Sequence, residues 1–168
     1  MHDKLTRKDI ELMQAELEDR RLNIRPKIIE EVKRTREYGD LSENYEYKAA
    51  KQAQRKNDSR VRYLQNMIKT AEIIEETPKA SDQVKLYDKV TIYLPEDDET
   101  MVVQVVSTVR IQPDAGFISM EAPLGKALLG KRVGDRVTVQ ASEEFTYDVE
   151  VKKIEAAVDD GSAPLLEY

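Results

Sequence analysis

Two carboxylates, Asp40 and Glu43, stand three residues apart in the run Gly39-Asp40-Leu41-Ser42-Glu43-Asn44-Tyr45-Glu46-Tyr47. At a turn or a helix start, residues at this spacing can point the same way. Paired carboxylates suit a hard cation such as Mg²⁺, which takes one or two protein carboxylates and fills its shell with water or phosphate oxygens. Two ligands are too few for a dedicated site, so the rest of the shell must come from elsewhere. The same spacing also reads as a capping box for a following helix, where acids interact well with the macrodipole. Cations crowd the flanks: Arg34 and Arg36 before the run, and Lys48, Lys51, Arg55, Lys56, Arg60 and Arg62 after it. No acid occurs between Lys48 and Lys56. By itself such a run is a solvated helix face; beside two acids, it could hold a phosphate backbone. Tyr38, Tyr45 and Tyr47 add stacking surfaces, or pack around the turn, the role preferred for Tyr47.

The elements that must position these groups are helical. Thr6 and Asp9 resemble a capping box that opens a first helix. Ile10, Met13, Leu17, Ile24, Ile28 and Val32 recur at helical spacing and share one face. Pro26 interrupts this pattern and predicts a kink, because proline removes a backbone donor. Tyr38-Gly39 ends the helix with a glycine suited to a left-handed cap. A second helix is expected over about Asn44–Glu76, with Asn57, Val61, Leu64, Ile68 and Ala71 on a coiled-coil seam. Two such helices make an antiparallel hairpin with arms on the order of 45 Å. Apolar seam residues are dense near its base and sparse near its turn.

The second half alternates like β structure. Lys89–Leu94 and Thr100–Val106 flank an acidic turn and predict a hairpin. Phe117–Met120, Arg136–Gln140 and Thr146–Ile154 read as further strands, and Pro123–Leu129 as one short helix ended by Gly130. The expected class is α+β: a coiled-coil hairpin over 1–77, a linker at 78–83, an antiparallel sheet with one helix over 84–155, and a disordered or loosely docked tail at 156–168. There is no internal repeat.

Composition narrows the chemistry. The chain has 168 residues, 40% hydrophobic and 36% charged, with a net charge of −6. An acidic balance argues against holding duplex DNA through phosphates. Cysteine is absent, which excludes disulfides, thiolate metal sites and a cysteine nucleophile. No apolar run reaches signal-peptide or membrane-span length, so the cytoplasm is the expected compartment and no membrane is involved. The single histidine, His2, reads as a terminal solvent residue. Gly125, Gly130 and Gly134 lack the context of a phosphate loop. Glu96–Glu99 reads as a solvated turn without calcium-loop spacing.

The run Arg36–Lys51 resembles the signature of the Gre transcript-cleavage factors, GreA-type, with Asp40, Leu41, Glu43, Asn44, Glu46 and Tyr47 at its most characteristic positions. Arg25-Pro26 before Ile28-Ile29, and Pro123–Lys131 followed by Gly134-Asp135, are similar to the family as well, and the resemblance spans about 5–155. It implies an N-terminal coiled coil and a C-terminal domain of FKBP-like fold. It also implies a partner, bacterial RNA polymerase. The C-terminal domain docks at the rim of the secondary channel, and the coiled coil enters the channel toward the 3′ end of backtracked RNA. Asp40 and Glu43 would help the polymerase hold a Mg²⁺ and orient water. The free protein would need no cofactor and would not be an enzyme on its own. The RNA-proximal basic patch falls on Arg36 and Lys51, with Arg55 beside them. Gly39, Leu41, Asn44 and Tyr47 would support the tip. Docking falls loosely on Pro123, Leu124, Lys126 and Lys131. A monomer is the simplest state.

This sequence departs from the family at Tyr45, where a small residue is usual, and at Ala122–Lys126. The residues after Glu155 pass the family's usual end. Three rival readings stand beside the cleavage factor. A Gre-fold modulator of the polymerase would not need the two acids. A prolyl isomerase would need an apolar, aromatic-lined pocket. A plain coiled-coil scaffold would leave the tip unexplained.

Overall fold

A computed structural model describes residues 3–39, 43–75 and 82–167. The chain forms two compact units: residues 1–3 and 10–71, and residues 4–9 and 72–168.

Helix α1 (Arg7–Asp19), which belongs to the first unit from Ile10 onward, follows the capping box that the sequence suggests. The Thr6 hydroxyl accepts from the Asp9 N–H at 3.1 Å, and the Asp9 carboxylate accepts from the Thr6 N–H at 2.8 Å. A π-helical turn (Arg20–Ile24) then leads directly into α2 (Arg25–Arg36). The break expected at Pro26 therefore falls one turn earlier. Pro26 itself lies in the first turn of α2, where a missing donor costs little, and the wider turn ahead of it takes up the change of register.

Helix α3 (Tyr45–Thr70) packs along α2 and the π-helical turn. Its seam is more polar than the apolar spacing suggests. Leu64 and Asn57 are buried as the seam predicts, and Arg60, which the spacing leaves off the seam, is buried beside them. Asn57 accepts from Arg20 at 3.0 Å, and Arg60 donates from Nε to Glu16 at 3.1 Å. Such pairs fix the register of two helices more sharply than aliphatic contacts do. Helix α3 stops at Thr70, short of the expected Glu76, because Ala71 turns extended and Glu72–Ile73 becomes a strand.

The second unit takes that strand. The β1 pair Lys4–Leu5 lies parallel to β2, Glu72–Ile73, so the residues before α1 are not part of the hairpin. The main sheet contains β3 (Lys89–Leu94), β4 (Glu99–Val106), β5 (Phe117–Ser119), β6 (Arg136–Gln140) and β7 (Thr146–Glu155) in the order β5-β4-β3-β7-β6. Alternation puts Val90, Ile92, Val103, Val105, Val139, Val149 and Val151 on one buried face. Leu128 of α4 (Pro123–Leu128) closes that face. At Gly125, an added Cβ would lie 2.1 Å from the Ser119 carbonyl oxygen, so only glycine lets α4 sit this close. The sheet is mixed, not purely antiparallel: β5 runs parallel to β4. The connection between them doubles back through a 3-10 turn at Pro113–Ala115.

Two further expectations change. Of the linker at 78–83, residues 78–81 lie outside the described residues, while Gln83 bridges Arg132 and the Val84 N–H donates to the Lys131 carbonyl at 2.8 Å. The tail, expected to be disordered or loosely docked, is tied down. Asp159 accepts two bonds from the Arg110 guanidinium at 2.8 Å each, Arg110 Nε donates to the Ala163 carbonyl at 2.5 Å, and the Leu166 N–H donates to the Val109 carbonyl at 2.7 Å. Arg110 is fully buried and also donates to the buried Asp9 at 3.0 Å.

Candidate functional site

The turn between α2 and α3 is built from the two helix ends. At the end of α2, the Tyr38 N–H donates to the Thr35 carbonyl and the Gly39 N–H to the Arg36 carbonyl. Gly39 has φ +93°, the left-handed conformation that the Tyr38-Gly39 pair predicts. Asp40, Leu41 and Ser42 lie outside the described residues, and with them the readings of Asp40 as a metal-directed acid and Leu41 as tip support.

The capping box read at Asp40 and Glu43 is corrected. The N-cap of α3 is Asn44, whose side-chain oxygen accepts from the Tyr47 N–H at 3.0 Å. The same side chain donates through Nδ2 to the carbonyl of the buried Thr35 at 2.7 Å. One amide thus caps α3 and clamps it to the end of α2. Asparagine is among the strongest N-cap residues, and this signal was available in the sequence. Glu43 is exposed, and no described residue pairs with it by ion pair or hydrogen bond. An acceptor-only group in that position keeps its oxygens for water or a cation.

Around this turn, Arg34 engages two of the acids. Arg34 forms ion pairs with Glu31 and, at 3.7 Å, with Glu46, and it bonds the Tyr38 hydroxyl. Its hydrogen bond holds the exposed Glu31 carboxyl below the usual carboxylate range, although the small desolvation there works the other way. Arg36 and Arg55 are exposed; Lys51 is half-buried and donates to Gln54 at 3.1 Å. Tyr47 is half-buried, in keeping with a packing role, whereas Tyr38 and Tyr45 are 59% and 81% exposed. The sequence reading did not identify Arg34 as the residue that organises the end of α2.

The residues read as a docking surface separate by role. Pro123 and Lys126 line a shallow groove with Glu121, Ala127, Thr138 and Gln140. Lys126 Nζ lies 3.5 Å from Glu121. Leu124 packs against the core, and Lys131 joins the turn that receives Val84. None of the groove's six residues is aromatic, unlike the lining that the isomerase reading requires. Among the described residues, no group of three or more His, Cys, Asp or Glu side chains is placed to hold a metal ion. No described helix is long and apolar enough to cross a membrane.

Both segments match known families. Residues 4–73 match the family model described as transcription elongation factor, N-terminal, and residues 78–156 match transcription elongation factor, GreA/GreB, C-terminal. The chain belongs to the GreA/GreB family of transcription elongation factors. A relative from Leuconostoc mesenteroides named transcription elongation factor GreA is 42% identical over 139 residues, covering 83% of this chain and 87% of that one. One of the same name from Streptococcus pneumoniae is 38% identical over 151 residues, covering 90% and 94%. The crystal structure of GreA factor homolog 1 from Thermus thermophilus is 29% identical, covers 93% of this chain and 100% of that one, and aligns with a TM-score of 0.42.

Proposed function

We propose that this chain enters the secondary channel of bacterial RNA polymerase and stimulates the polymerase's own endonucleolytic cleavage of backtracked RNA. The supporting observation is the assignment of the cap. Asn44 performs the capping that would otherwise occupy an acid, and Glu43 stands exposed ahead of it. Family membership supplies the class of process, transcription elongation.

The chemistry follows from the donor set. Glu43 and Asp40 are hard oxygen ligands that suit Mg²⁺, and they are too few to hold it alone. The ion is therefore one that the polymerase site also holds, and Asp40 and Glu43 would complete its shell. When bound there, it supplies charge stabilisation at an oxygen of the phosphodiester undergoing displacement. The chain's own residues orient and bind: the two carboxylates position water, and Arg36, Lys51 and Arg55 meet RNA phosphates. Two carboxylates do not by themselves make an active site, and in this reading the catalytic power belongs to the polymerase.

The test uses a purified bacterial polymerase stalled in a backtracked complex with Mg²⁺. Added protein is expected to release short 3′ RNA fragments. Asp40→Asn and Glu43→Gln are expected to lower the cleavage rate by about 10²-fold or more, the scale of losing preorganised electrostatic groups, while still competing with wild type for the complex. Variants as active as wild type would remove the carboxylates from the chemistry.

A further inference from the structure

Two exposed tyrosines flank the turn, and each lies near a cation. The Arg34 guanidinium is 5.5 Å from the Tyr38 ring centroid, and Lys48 Nζ is 5.7 Å from that of Tyr45. The two pairs differ in how far they are committed. Arg34 is held by Glu31, Glu46 and the Tyr38 hydroxyl. Lys48 forms no ion pair among the described residues, and its tyrosine is the more open, at 81% against 59%.

Tyr45 is the first residue of α3 and follows Asn44, the cap. Neither capping nor the helix needs an aromatic ring there, since aromatic residues are middling helix formers. The ring contributes little burial, so its use lies in what it can meet. It stands two residues from Glu43 and opens the basic run from Lys48 to Lys56. A solvent-facing ring with an uncommitted ammonium beside it matches single-stranded nucleic acid, in which every base offers a π-face and every linkage a phosphate.

We propose that Tyr45 stacks on an unpaired base of the RNA 3′ segment, with Lys48 on a neighbouring phosphate. The proposal deepens the cleavage reading and rests on it, because that reading brings the RNA to this turn. Tyr45 is then a positioning residue: it sets where the strand lies relative to Glu43 and does not itself touch the reacting phosphorus.

The experiment places 2-aminopurine in the 3′ segment of the RNA of a backtracked complex and adds the full chain. Fluorescence is recorded without Mg²⁺, and cleavage separately with it. Wild type and Tyr45→Phe are expected to quench the base; Tyr45→Ala is not. Tyr45→Ala is expected to raise the protein concentration for half-maximal cleavage about tenfold, within the range of losing one base–aromatic stack, with the saturated rate changed by less than about twofold. Tyr38→Ala is expected to match wild type in both. Circular dichroism confirms that each variant is folded. Undiminished quenching by Tyr45→Ala overturns the proposal, as does a loss by Tyr45→Phe equal to that of Tyr45→Ala. If wild type cleaves and Tyr45→Ala cannot be told from it, stacking is wrong and the cleavage reading stands. Quenching that depends on Tyr45 without cleavage supports stacking and overturns the cleavage reading. Neither quenching nor cleavage by wild type overturns both.

Discussion

Carboxylates in two regions of this chain meet opposite fates. In the second unit, Asp9 and Asp159 converge on one buried guanidinium, and every contact there is internal. Burial opposes the charge of Arg110, but the hydrogen bonds to Asp159 and Asp9 outweigh it and leave its pKa raised. The Tyr87 ring lies 5.3 Å from the same guanidinium, and burial together with the Asp9 charge pushes the Tyr87 hydroxyl pKa up. Around the α2–α3 turn of the first unit, Glu43 has no such partner among the described residues. Buried charges must be compensated inside the protein, because leaving one unmatched costs several kcal/mol. An exposed charge is stabilised by water and can be left for a ligand. The Arg110 cluster therefore reads as structure, whereas the exposed Glu43 is free for the role proposed for it.

The sharpest way to break this contrast is Arg110→Met. It leaves Asp9 and Asp159 facing each other without a cation and should lower stability by about 3–5 kcal/mol in denaturant unfolding. Glu43→Gln should stay within about 0.5 kcal/mol of wild type. Equal effects would erase the distinction. Next in size is removal of the tail after Ala156, or Asp159→Asn. Arg110 keeps Asp9, so the expected loss is smaller, about 2 kcal/mol, in line with charge-assisted hydrogen bonds. An unchanged midpoint after truncation would mean that the tail's contacts contribute nothing. Third is Asn44→Ala, which loses the cap and the bond to Thr35 and should cost about 1–2 kcal/mol. Faster amide exchange should appear at Tyr47.

Much of this was legible in the sequence. Strands β3, β4, β6 and β7 follow from alternation and turn residues, because side-chain period 2 is a local signal. The Thr6–Asp9 box and the Gly39 stop are also local. What the sequence hid depends on long-range partners. The parallel pairings of β1 with β2 and of β4 with β5 join segments that no periodicity connects. Arg110 looks like any surface arginine until Asp9, 101 residues away, and Asp159 are brought to it. At the site, the acids at 40 and 43 are conspicuous and their spacing also fits a capping box, but the cap belongs to Asn44, where the second helix is expected to begin. A side-chain oxygen at 44 satisfies the Tyr47 N–H, and a box at 40 and 43 would start the helix one turn too early.

The smallest effect falls on Glu31, near the same turn. Glu31 is engaged by Arg34, and its carboxyl is held below the ordinary glutamate range chiefly by that hydrogen bond. A depressed folded pKa means that the proton binds more weakly in the folded state. The stabilisation from this pair is therefore present above the unfolded carboxylate pKa and is lost as the pH falls through the lower folded value. Both groups are about half exposed, so solvent screens the pair and the change in stability is minor. The titration itself is the better measurement. In Arg34→Gln, the Glu31 carboxyl followed by NMR should move up toward the ordinary glutamate range. If it stays where it lies in wild type, the Arg34 hydrogen bond is not what holds Glu31 down, and Arg34 does not organise this end of α2.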